Sequence, residues 1–135
     1  MSFLVDTNVC IAGLNGRPVA VVEKLAKTLA RRNAVAVSAV TLFELQYGIA
    51  KSLHVDRNRR TLDAFLVPLQ VIPFEDEDAR LAGDIRAGLE RVGTPIGPYD
   101  YLIAAQAVRH KLRLVTANTR EFSRVNGLRW EDWTK

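Results

Sequence analysis

The chain has 135 residues, 48% of them apolar and 25% charged, which fits one soluble globular domain and leaves no room for a second core or extensive disorder. Nineteen Lys and Arg against fifteen Asp and Glu give a net charge of +4, so the surface favours polyanionic partners outside any acidic pocket. The longest uncharged stretches, Asn33 to Phe43 and Ala64 to Phe74, are eleven residues each, well short of the ~20 that a helix needs to cross a bilayer.

Phe3-Leu4-Val5 is an apolar run that predicts a buried strand, and Asp6-Thr7-Asn8 after it favours a turn because these side chains bond nearby backbone. An acid so soon after the start is unlike a secretory signal, so a cytoplasmic location is expected. Cys10 is the only cysteine, which excludes an internal disulfide and any Cys-based zinc site, and it reads as a buried, inert thiol. His54 and His110 have no paired ligand spacing. Val19 to Arg32 places Val22, Leu25, Ala26 and Leu29 on one helical face, and Ala34 to Val37 follows as a second strand. Ser38 and Thr41 offer capping hydroxyls ahead of a helix running to about His54. Asp56 to Pro68 predicts another helix, Gln70 to Pro73 a strand, and Glu75 to Val92 a helix with an acidic first turn. After a loop over Gly93 to Gly97, Pro98 opens a mostly apolar helix to Lys111. Leu112 to Thr116 reads as a fourth strand, and Leu128 to Trp130 as a fifth at the edge.

Strands alternating with helices, without tight-hairpin signals, argue for an α/β fold: a mainly parallel central sheet of four to five strands with helices on both faces. One domain is expected to span residues 1–135. Ligands of such sheets collect beyond the carboxyl ends of the strands, and Asp6, Ser38 and Thr116 to Asn118 all follow predicted strands.

The same topology can gather Asp6, Glu44, Asp100 and Glu121. Two carboxylates 4 Å apart repel by ~1 kcal/mol in water and ~4 kcal/mol at an effective dielectric of 20, so such a cluster calls for a cation. Oxygen-only donors select a hard ion, Mg²⁺ with Mn²⁺ as substitute, and phosphodiester hydrolysis follows from that choice. Each acid also has a plainer reading. Asp6 could close an Asx turn, Glu44 could complete a capping box with Thr41, Asp100 could complement a helix dipole, and Glu121 could be a solvated surface acid. Most of the basic residues read as solvated faces in three groups: Lys51, Arg57, Arg59 and Arg60; Arg109, Lys111 and Arg113; Arg120, Arg124 and Arg129. Those near Asn118 could hold backbone phosphates, while Thr7, Ser38, Thr116 and Asn118 could add neutral hydrogen bonds. Tyr99 could stack on a base, although packing is the plainer reading.

Four segments carry a family resemblance: Leu4-Val5-Asp6-Thr7-Asn8, Ser38 to Leu45, Gly93 to Asp100, and Val115 to Phe122. Taken in order they resemble the PIN-domain ribonucleases, more narrowly the VapC-type toxins, from Phe3 to Trp133. The resemblance implies a three-layer PIN-like fold and a Mg²⁺-dependent endoribonuclease whose products carry a 5′-phosphate and a 3′-hydroxyl. It puts Asp6 and Asp100 at the principal metal-ligand positions and Glu44 at the third acidic one. The fourth, often Asp in PIN domains, is Asn118 here, with Glu121 three residues on, so the resemblance leaves the completing residue open. Asn8 and Arg120 lie inside the matching segments as site-supporting or RNA-binding candidates. Also implied are a homodimer, a cognate VapB-like antitoxin lying along an apolar groove around Leu42 to Leu53, and promoter binding only through that antitoxin. The Gly97-Pro98-Tyr99-Asp100 and Arg120-Glu121-Phe122 pattern is similar to VapC members that cut initiator tRNA.

Two other classes compete. A non-catalytic RNA-binding module with a PIN-like fold would gain nothing from carboxylates facing phosphate. A phosphatase with Asp6 as covalent nucleophile would want a second acid where Asn8 stands.

Overall fold

The computed structural model describes residues 2–135. In chain order they form β1 (Phe3–Val5), α1 (Thr7–Asn15), α2 (Val19–Ala30), β2 (Val35–Ser38), α3 (Ala39–Ala50), α4 (Val55–Leu66), β3 (Gln70–Ile72), α5 (Asp76–Arg91), α6 (Pro98–Arg109), β4 (Arg113–Val115), α7 (Thr119–Phe122) and β5 (Trp130–Glu131). The sheet has five strands in the order β3-β2-β1-β4-β5, and every pairing is parallel. The expected architecture is therefore present, with all strands parallel.

The pleat distributes β1 between two cores. Phe3 and Val5 join Val35, Val37 and Val115 on one face, under side chains from α1, α2, α3 and α4. Leu4 joins Ala36 and Leu114 on the other, under α6 and Phe122, with Ile85 and Leu89 of α5 alongside. Helices thus cover both faces, making three layers. The chain moves from β1 to β2 and β3 on one side, then returns to place β4 and β5 on the other. That reversal opens a crevice at the carboxyl ends of β1 and β4, where the Asp6 amide bonds the Val115 carbonyl at 3.1 Å.

Two elements depart from the sequence reading. Thr7–Asn15 is a helix, not a turn: Asp6 is its N-cap and accepts from the Val9 amide at 2.9 Å. Thr119–Phe122 is a short helix in the stretch between the fourth and fifth predicted strands, to which the sequence reading assigns no element. The proposed capping box is also corrected. Ser38, not Thr41, caps α3, accepting from the Val40 amide at 2.9 Å, which leaves Glu44 beyond the first turn. Cys10 is a buried free thiol whose pKa is raised, first by burial and then by the Asp6 charge.

The opposite polarity of α5 and α6 creates a separate charged cluster. Asp78, fully buried at the start of α5, accepts from the Glu75 amide at 2.8 Å and pairs with Arg109, which also reaches Glu75 at 2.8 Å and Glu77 at 3.3 Å. Burial raises the Asp78 pKa, but hydrogen bonding and charge from Arg109 and the Glu75 amide outweigh it and hold the carboxyl below its ordinary range. Glu75, Asp78 and His110 stand close enough to hold an ion, a grouping that sequence spacing does not reveal. The guanidinium already supplies the cation there.

Candidate active site

Asp6, Thr7, Asn8, Glu44, Asp100, Asn118 and Phe122 line one small cavity of about 120 Å³ at the carboxyl end of the sheet. The fold explains this convergence. Asp6 leaves β1, Glu44 lies on the second turn of α3, Asp100 on the first turn of α6, and Asn118 just before α7. The Thr7 hydroxyl donates to Glu44 Oε1 at 2.8 Å and pairs with the Thr41 hydroxyl at 3.1 Å, fixing the Glu44 carboxylate against the start of α1. Gly97 allows the close approach of Asp100: a Cβ there would lie 2.9 Å from Asp100 Oδ2.

Glu121 stands outside the lining. Its Oε1 accepts from the Gly97 amide at 3.2 Å and its Oε2 from the Asn118 side-chain amide, so it joins the α6 start to the loop after β4. Thr116 is buried, and its hydroxyl accepts from the Asn118 amide at 2.9 Å while also hydrogen-bonding Asp6. Ser38 is equally buried, and its hydroxyl donates to Gln106 Oε1. Ser38 and Thr116, candidates for RNA-binding or site-supporting roles, thus have their hydroxyls engaged within the chain beneath the site. Gln106, missed by the sequence reading, also donates to the Pro73 carbonyl at 3.0 Å. A lone Gln in an apolar helix was the available signal.

Several basic residues, including Arg124 and Arg129 of the group near Asn118, already have partners within the chain. Arg113 pairs with Glu131 at 2.9 Å, Arg124 donates to the Pro95 carbonyl at 2.8 Å, Arg129 donates to the Lys111 carbonyl at 3.3 Å, and Arg109 serves its acidic cluster. Arg120 is exposed on α7, away from the cavity lining.

Among the described residues, no ion pair involves Asp6, Glu44, Asp100 or Glu121. The negative charge is consequently felt by its own members. Burial raises the Asp6 pKa, and Glu44 adds to it against hydrogen bonds from Thr116 and backbone amides. Asp100 is pushed up to about 6, by burial first and then by Glu121, Asp6 and Glu44. By chemistry the donor set fits a hard divalent cation: oxygen ligands from several elements, mutually repelling, with no protein cation to balance them, although among the described residues only Glu75, Asp78 and His110 bring three ligand atoms within 4.8 Å of one another.

This repulsion has a measurable sign. A raised carboxyl pKa favours the protonated folded form, so ionising Asp100 costs stability as pH rises from about 4 through about 6. Without metal, the melting temperature of Asp100→Asn should match wild type near pH 4 and exceed it increasingly up to pH 7. A constant gap over that range in differential scanning fluorimetry would show that Asp100 feels no excess charge.

The chain is similar to known proteins over nearly its whole length. The PIN domain family model matches residues 3–128. The chain is 41% identical over 133 residues to the tRNA(fMet)-specific endonuclease VapC of Salmonella typhimurium, covering 98% of each chain. It superposes on VapBC2 from Rickettsia felis, solved bound to a DNA fragment from its promoter, with a TM-score of 0.91 at 36% identity, covering 98% of this chain and 99% of that one. A DNA-bound VapBC structure from Salmonella typhimurium gives 0.89 at 41% identity and 98% of each chain.

Proposed function

The chain belongs to the PIN-domain family and within it to the VapC ribonucleases, and on that premise we propose that it is the toxin of a VapBC-type pair, a metal-dependent endoribonuclease restrained by a cognate VapB-like antitoxin. The observation carrying this reading is the unpaired acidic cavity at the sheet's switch point, within a basic chain. Asp6, Glu44 and Asp100 would hold the ion, Mg²⁺ with Mn²⁺ as substitute, which when bound supplies charge neutralisation at the scissile phosphate and acidifies water for attack. The chain's own residues orient that chemistry. Thr7 fixes the Glu44 carboxylate, the buried Thr116 hydroxyl holds Asp6, and Gly97 lets Asp100 reach the cavity. Asn118 completes the lining, and Glu121 positions it. Water attack in line with the 3′-oxygen leaves a 5′-phosphate and a 3′-hydroxyl.

Initiator tRNA is the substrate we propose, supported by the name of the Salmonella relative. Residues 1–135 act as one cytoplasmic PIN domain in a homodimer, and promoter DNA is reached only through the antitoxin, a reading supported by the resemblance to VapBC complexes solved with DNA bound. No helix among the described residues is long and apolar enough to cross a membrane.

The test is incubation of the purified protein with transcribed initiator tRNA. Cleavage to 5′-phosphate ends with Mg²⁺, lost with EDTA and restored by Mn²⁺, is expected. Binding without cleavage under all these conditions would instead establish the RNA-binding module.

A further inference from the structure

Three exposed aromatic side chains, Phe43, Tyr47 and Tyr99, stand on α3 and at the start of α6, the elements that carry Glu44 and Asp100. Tyr99 directly precedes Asp100, and Phe43 directly precedes Glu44, so both flank cavity-lining acids. The two rings meet edge to face, with centroids 5.9 Å apart. Tyr47 and Lys51 continue from Phe43 at i+4 and i+8, a spacing that keeps them on one side of α3 while advancing ~6 Å per step. Lys51 Nζ lies 4.7 Å from the centre of the Tyr47 ring. Phe43, Tyr47 and Tyr99 are 55%, 60% and 44% exposed. Helix α3 packs its other side, including Leu42, Leu45 and Ile49, into the core. The exposed rings contribute nothing comparable to folding.

We propose that Tyr99, Phe43 and Tyr47 form a stacking track for unpaired bases next to the scissile phosphate, with Lys51 holding the backbone at its far end. The proposal rests on the ribonuclease reading and adds the form of substrate the site takes: a single-stranded segment, loop or end. Aromatic faces bind bases with little regard to sequence, and a nearby cation follows the backbone. Phe43 and Tyr99 are the immediate sequence neighbours of the cavity-lining acids Glu44 and Asp100, so a strand whose phosphate enters the cavity passes close to the pair they form. Beyond Lys51, exposed Arg57, Arg59 and Arg60 on α4 provide further positive charge, and none of these four cations is in an ion pair among the described residues. Charge and aromatic rings laid out from an anionic-ligand site fit RNA, and because Phe43, Tyr47 and Lys51 fall within the Leu42 to Leu53 stretch expected to hold the antitoxin, a bound antitoxin would cover this track.

The experiment uses the full chain carrying Asp6→Asn, so that RNA is bound without being cut, and an unpaired RNA oligonucleotide containing 2-aminopurine. Stacking should quench the fluorophore on binding. Phe43→Leu and Tyr99→Leu keep apolar bulk but remove the ring, so each should abolish most of the quenching and weaken binding about 10-fold. Lys51→Gln should lower the salt slope of binding by about one. Light scattering on the same samples should show an unchanged oligomeric state. Unchanged quenching and affinity in the Leu variants would overturn the track, as would altered self-association or antitoxin binding with RNA binding intact, which would make the stripe a protein interface. Failure of the nuclease reading would appear separately, as uncut RNA with the unsubstituted protein and Mg²⁺.

Discussion

Asp100→Asn should reduce RNA cleavage by about 10³-fold or more while leaving the fold intact. The substitution keeps the size of the side chain and removes one charge from a cavity where Asp6, Glu44 and Asp100 converge without a balancing cation. Cation-assisted phosphoryl chemistry is worth several kcal/mol, and ~4 kcal/mol corresponds to about 10³ in rate. The loss should appear as weaker Mg²⁺ binding in calorimetry as well as a lower maximal rate, because one anionic donor is gone and the remaining acids repel less. Circular dichroism should be unchanged, and at pH 7 the metal-free variant should melt above wild type. Stability gained together with activity lost is the signature of an acid kept for binding and not for folding. A variant cleaving within tenfold of wild type would remove Asp100 from the proposed site, and one that fails to fold would mean that its carboxylate holds the α6 start together.

The acids were legible in the chain because each occupies a position that local pattern already marks. Asp6 follows an apolar run, Asp100 follows the first-turn proline of a helix, and Glu44 falls within the helix marked by Leu42, Leu45 and Ile49 at helical spacing. The apolar run Phe3-Leu4-Val5 reads as a buried strand, and the structure divides its side chains between the clusters on the two faces of the sheet. Helix α1 was hidden by its own adaptations. Its N-cap resembles a turn, and Gly13 resembles a breaker, yet a Cβ at Gly13 would stand 2.6 Å from Phe65 Cε1. The glycine is there to let α1 approach α4, a tertiary reason invisible in local pattern. Glu44 was open to misreading because Ser38 and Thr41 both qualify as caps, and only the register of β2 into α3 decides between them. The fate of the basic residues was illegible for a related reason. Arg109 and Arg113 find their acids on α5 and β5, far along the chain, so a count of positive charge overstates what is free for RNA.

Phe122→Ala should cost about 3–5 kcal/mol of folding free energy, the range for removing a fully buried phenyl ring. Phe122 is 1% exposed and packs in the core layer that includes Ile96, Tyr101 and Val125, while also lining the acidic cavity. It is the buried residue of α7, a helix of four residues, too short to persist without tertiary anchoring. Urea unfolding followed by tryptophan fluorescence reads the loss, since Trp133 packs edge to face on Phe3 at 5.6 Å and reports the other core. Against the ~5–15 kcal/mol that holds a typical domain, the variant should remain folded at low temperature with a much lower midpoint. Its site should be impaired even there. Asn118 and Glu121 precede the ring in sequence, and the bonds of Glu121 to Asn118 and to the Gly97 amide depend on α7 staying docked. A fall of less than ~1 kcal/mol would mean that the neighbouring side chains close over the gap, well below the cost of a cavity that cannot collapse. In that case α7 would be held by its hydrogen bonds alone. The two outcomes separate in cleavage at saturating Mg²⁺: a docked helix keeps the rate, whereas a loosened one lowers it without weakening Asp6 or Asp100 as ligands.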